Sequence, residues 1–216
     1  RLDNVLDDEV VKQLSHVGTI IHAISTGQHA QANAYLPELL SHPAWGIPPT
    51  AVWEISLTAH KNREHWLETM RQHQATTQLF EWLIAAAGQA LQLPLERMLD
   101  ILTGTTTLAD SEFVSPLRTY FFSEDERQNN FARYTTHLEN LTTIRRRLRE
   151  HAVDMTAPKL ADFLDFIQAN QEAGARITSY RHIGDDSEAV QLLSAHGSKG
   201  LEYDHVFIIN ATDPMW

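Results

Sequence analysis

Toward the end of the sequence, Gly197-Ser198-Lys199-Gly200 follows a run of apolar residues, with His196 just before it and Glu202 just after. These residue types suit phosphate chemistry. The glycines allow close backbone approach and turn geometries closed to other residues. Successive backbone N–H groups, with a serine hydroxyl and a lysine ammonium, can hold phosphate oxygens. His196 can donate to a phosphate or a base, and Glu202 can accept from a ribose hydroxyl. Taken alone, such a tetrapeptide more often forms an ordinary turn, and Lys199 with Glu202 can equally make a local ion pair.

The elements expected to hold this loop are two short buried strands, Ala189–Ser194 (AVQLLS) and His205–Asn210 (HVFIIN), with Leu201, Val206 and Phe207 in the core. Two such strands without covering helices would expose much apolar surface. They are therefore expected to open an α/β domain that lies mostly outside this sequence. Everything before Gly174 reads as helical. Asp7 and Asp8 can cap a first helix in which Val10, Val11, Leu14, Val17, Ile20, Ile21 and Ile24 recur at helical spacing, ending at Gly27. Helices are expected at about 29–40, at 51–60 with Thr50 as cap, and at 63–72, 76–91 and 95–103. A loop follows over 104–115. The longest helix is expected over 124–151, with Ser123 as cap, acidic residues in its first turn and Arg145, Arg146, Arg147 and Arg149 in its last turns. A final helix is expected at about 158–172, and Gly184-Asp185-Asp186-Ser187 reads as a linker.

The full string from Ser194 to Phe207 (SAHGSKGLEYDHVF) is far more specific than its tetrapeptide. It resembles motif V of the UvrD/Rep/PcrA-like superfamily 1 DNA helicases: a hydrophobic strand, then Thr-x-His-x-x-Lys-Gly-Leu-Glu, an aromatic, two residues and Val-Phe. The departure is Ser194 in place of the commoner threonine, which keeps the hydroxyl and loses a methyl. The resemblance implies a mostly α chain: a helical 2B-like subdomain over 1–185, then a β-loop-β piece of the RecA-like 2A domain over 186–216. It further implies that Ser194, His196 and Ser198 lie near single-stranded DNA. Lys199 and Gly200 would shape the loop, and Glu202 would approach the ATP ribose. ATP and Mg2+ would be cofactors of the full-length enzyme, a 3′-to-5′ translocating helicase acting on single-stranded and duplex DNA. The helical subdomain would engage duplex DNA or protein partners. The alternatives are a non-enzymatic helical interaction module and a helicase-like nuclease subunit.

Composition narrows these readings. The 216 residues are 43% hydrophobic and 21% charged, carry a net charge of −11 and include no cysteine. A core is expected, and disulfides and thiolate metal sites are excluded. An acidic chain is a poor stand-alone DNA binder, because non-specific affinity rests on basic surface that displaces counterions. The sequence contains no Gly-x-x-x-x-Gly-Lys-Ser/Thr, no Asp-Glu-x-x-Asp and no downstream arginine motif. The isolated chain is therefore expected to lack ATPase activity. The twelve histidines, including His22, His29, His60 and His65, form no ligand pattern with carboxylates, so no metal is expected. Arg145–Arg149 suits helix-dipole compensation better than phosphate contact. Trp45, Trp53, Trp66 and Trp82 are expected to be mostly core rather than stacking platforms. No membrane span and no signal peptide are read, which is in keeping with a cytoplasmic protein.

Overall fold

The computed structural model describes residues 4–109, 111–153, 155–179, 198 and 202–207. The chain divides into two compact units, Arg1–Tyr180 and Arg181–Trp216. The first is built from α-helices, and no strand occurs among the described residues.

Helix α1 (Glu9–Ser25) lies at the centre, capped by the Asp8 carboxylate, which accepts from Val10 N–H at 2.9 Å. Its apolar residues recur on more than one face, and Val10, Leu14, Val17, Ile20 and Ile21 are each at most 1% exposed. It therefore packs on several sides at once: against α2 (His29–Ser41), α5 (Thr77–Ala90), α6 (Leu95–Thr103), α9 (Phe131–His151) and α10 (Leu160–Glu172). Gly18 makes room for α10, since a Cβ there would come within 3.3 Å of Leu160 and 3.4 Å of Leu164. Trp45 and Trp82 close the core from the α2–α5 side, with the Trp45 indole N–H donating to Gln13 Oε1 at 3.1 Å. The ends of the unit are tied together: Val5 N–H donates to the Ile177 carbonyl at 2.7 Å, and Ile177 N–H to Asn4 Oδ1 at 3.1 Å.

Several boundaries differ from expectation. Helix α3 (Pro49–Asn62) starts at a proline, whose fixed φ suits the first turn, so Thr50 lies inside the helix and is no cap. Arg63, in left-handed backbone at φ 59°, ends α3, and α4 (Trp66–Gln72) begins only after it. The expected single helix over 124–151 is two, α8 (Glu124–Asn129) and α9, broken at Asn130 with φ −134° and ψ 43°. The amides of Asn129 and Asn130 bond back to Asp125 and Glu126, which gives the chain polar alternatives to continuing the helix. A short helix without a clear sequence signal, α7 (Leu117–Phe121), follows the 104–115 loop and inserts Leu117 and Phe121 into the core.

The expected strand Ala189–Ser194 lies outside the described residues. Of His205–Asn210 only residues 205–207 are described, and they have no regular secondary structure. Val206 and Phe207, expected in the core, are 69% and 90% exposed. A strand buries its faces only against neighbouring strands and helices, and the described residues supply none here.

Candidate functional site

Of the residues assigned to DNA and nucleotide, Ser194, His196, Lys199 and Gly200 lie outside the described residues. Ser198 sits half-buried in a turn and Glu202 faces solvent. The helical unit, in contrast, shows three well-defined polar and apolar arrangements.

The first surrounds the start of α1. The Asp8 carboxylate is 4% exposed and does more than cap the helix. It accepts from Asn140 Nδ2 at 2.7 Å, and both its oxygens lie 3.0 Å from His137 Nδ1. On the far side of that ring, Arg133 Nε donates to His137 Nε2 at 3.3 Å. Arginine only donates, so Nε2 must accept, and the single ring proton belongs on Nδ1, pointing at Asp8. Burial pushes the Asp8 carboxyl up. The hydrogen bonds from His137 and Asn140, the attraction of the polar His137 N–H and the Val10 N–H together outweigh this and hold it below its ordinary value. The network continues outward: Arg133 reaches Glu9 at 3.2 Å, and Glu9 accepts from His42 at 3.0 Å. This is an anchor for α9. The sequence offered Asp8 as a cap but no signal for its partners in α9.

The second arrangement concerns the arginine cluster. Arg145 lies 2.9 Å from Asp100 and 3.4 Å from Glu96, and Arg149 donates to Glu96 at 2.7 Å. Arg147 and Arg146 lie 3.2 and 3.9 Å from Glu150. Each arginine thus faces a carboxylate of α6 or of its own helix. The cluster staples α9 to α6 and offers phosphates little unneutralised charge.

The third is an apolar groove of about 330 Å³ between α2, α3 and α4, lined by Pro37, Ile47, Pro49, Val52, Trp53 and Trp66, with the hydroxyls of Ser41 and Ser56. Trp53, expected in the core, is 69% exposed, and Leu57 one turn on is 60% exposed. The reason is periodicity: Ala51, Ile55 and Ala59 form the buried face of α3, and Trp53 and Leu57 stand off it. That offset was a usable signal in the sequence. Trp45 and Trp82 are buried as expected, and Trp66 is half-buried, with its backbone N–H held by Asn33 Oδ1 at 2.6 Å. Among the described residues no group of three or more His, Asp or Glu could hold a metal ion. Nor is any described helix long and apolar enough to cross a membrane.

Comparison with known proteins brings both units under one description. The UvrD-like helicase C-terminal domain profile matches residues 20–215, so the chain belongs to that family. Over 54 residues the chain is 37% identical to an ATP-dependent helicase/nuclease subunit of Geobacillus thermodenitrificans (strain NG80-2). That stretch is 25% of this chain and 4% of the relative's length. No solved structure matches the chain.

Proposed function

We propose that this chain is the helical accessory region of an ATP-dependent 3′-to-5′ DNA helicase, continued into the loop that couples nucleotide to single-stranded DNA. The observation that carries this reading is the string Ser194–Phe207 lying within the family match over 20–215. In this reading 1–185 is the 2B-like subdomain, and 186–216 opens the RecA-like domain with its β-loop-β unit. Ser194, His196 and Ser198 hold the DNA backbone through hydroxyl and imidazole donors. Lys199 and Gly200 set the shape of the loop, and Glu202 accepts from the ATP ribose. One loop that touches both ligands lets nucleotide-driven closure change the grip on DNA. Magnesium and triphosphate chemistry belong to other parts of such an enzyme, because this sequence carries neither the P-loop nor the acidic metal motif.

The test is a split of kinetic constants in the helicase that contains this sequence. Glu202→Gln should raise the KM for ATP about tenfold while leaving the DNA concentration for half-maximal stimulation unchanged. Ser194→Ala with His196→Ala should do the reverse. Substitutions that move neither constant, or both together, would overturn the assignment. The isolated 216-residue chain should show no DNA-stimulated ATP turnover in a phosphate-release assay. A second reading, one component of a helicase/nuclease, draws on the printed name of the Geobacillus relative. Degradation of single-stranded DNA by the complete enzyme would favour it.

A further inference from the structure

We propose that His137 is a proton-operated latch: its neutral ring holds the arm formed by α8 and the first turns of α9, and protonation of Nε2 releases that arm. The device belongs to the helical unit and does not depend on the loop at Ser194–Phe207.

The arm has no apolar anchor in the core. Helix α8 carries no buried residue, and the first buried side chain of α9 is His137 itself. Side-chain hydrogen bonds along α8 are local: Arg127 and Gln128 donate to Glu124, Asn129 to Asp125 and Asn130 to Glu126. The polar and ring contacts that tie the arm to the body, among the described residues, come from Tyr134 and Arg133. The Tyr134 ring meets Phe122 edge-on at 5.9 Å. Arg133 reaches Glu9 at 3.2 Å and His137 at 3.3 Å. The pair with Glu9 is open to solvent, with side chains 44% and 42% exposed, and such pairs contribute little. The hold of Arg133 therefore rests on His137, whose ring is fixed between Asp8 and the edge-packed Phe121 ring at 5.1 Å.

That bond needs an acceptor. With its Nδ1 proton directed at Asp8, the neutral ring offers Arg133 the Nε2 lone pair. A proton taken from solvent onto Nε2 removes the lone pair and sets a cation against a guanidinium. Asp8, held below its ordinary value, stays ionised and keeps the imidazolium in place while Arg133 loses its partner. The neighbouring groups do not undo this. Glu9 also accepts from His42 Nε2 at 3.0 Å, and because Ala44 N–H donates to His42 Nδ1 at 3.2 Å, the His42 proton sits on Nε2 and that bond survives protonation. Helix α7 faces the site with the Tyr120 and Phe121 rings, which meet His42. The other charged side chains at this end of the packed elements, Asp7, Lys12 and Arg118, are exposed.

The chain has no cysteine, so a nitroxide on Ala132→Cys, an exposed position in the first turn of α9, reports the arm alone. The 216-residue chain is titrated from about pH 8 to about pH 5, the window in which imidazole changes charge. The ratio of mobile to immobile label should rise about fivefold, the change in equilibrium that loss of one hydrogen bond makes. Its midpoint should match that of the imidazole resonance missing from the His137→Gln spectrum. His137→Gln, with an amide that can donate to Asp8 and accept from Arg133 but cannot titrate, should keep the arm immobile throughout. Arg133→Ala, a solvent-facing change that spares the core, should leave the arm mobile at the alkaline end with no further rise in acid. His42→Gln should keep the step. A label that does not respond to pH, or a step that survives in His137→Gln or in Arg133→Ala, would overturn the latch. So would loss of the step in His42→Gln, or a parallel loss of helical circular dichroism, which would make the change one of global unfolding.

Discussion

Asp8 is a helix cap that also holds a neighbouring helix, and its substitution separates those roles by pH. Removing the carboxylate loses the cap and leaves His137 and Asn140 without their buried acceptor. Asp8→Ala should therefore cost about 1–3 kcal/mol at neutral pH in denaturant unfolding. Because the folded carboxyl titrates below its ordinary value of 3.8, its stabilisation is complete above that pH and is lost as pH falls through the folded value. The gap between wild type and variant should accordingly narrow in acid. A gap independent of pH would mean that Asp8 acts through shape alone.

At the level of elements, the helices differ in what holds them. Helix α1 is held by apolar contact on several sides, so its sensitive positions are steric. Gly18 faces Leu160 and Leu164, and Gly18→Val would push branched methyls into α10, with a cost of about 1–3 kcal/mol from overpacking. Gly18→Ala should be close to neutral, because the gain in helix propensity, about 1 kcal/mol, offsets a shift of a few tenths of an ångström in two leucine side chains. Thermal unfolding of the two variants checks this: no loss in either would mean that α10 does not pack closely on α1. Helix α9, by contrast, carries Ile144 and Leu148 as its buried apolar residues and adds the buried Asp8–His137 contact, while Arg133–Glu9 and Arg149–Glu96 are solvent-exposed pairs that contribute little.

For the whole molecule, charge limits what the helical mass can do with DNA. A net charge of −11, with Arg145, Arg146, Arg147 and Arg149 each facing a carboxylate, leaves no basic stripe along α9. Arg145→Glu with Arg147→Glu should leave duplex affinity unchanged at low salt in an anisotropy titration, within about twofold. A clear loss would show that the cluster reaches phosphates despite its carboxylates. On the proposed reading, the grip on DNA falls to the loop at Ser194–Phe207 rather than to α9.

The sequence by itself determined the approximate spans of most helices, the cap at Asp8 and the buried set of α1. These are properties of neighbours three and four residues apart, and periodicity records them. It also determined the family, because the order His196-x-x-Lys199-Gly200-Leu201-Glu202 is chemistry written in consecutive residues. The break at Asn130 was less legible, since a run of polar residues is compatible with both one helix and two. Tertiary structure alone decided that His137 meets Asp8, 129 residues away, and that arginines of α9 turn toward Glu96 and Asp100. Each of these depends on which face of one helix meets another, and helix crossing is set by the packing of the whole core rather than by any local pattern.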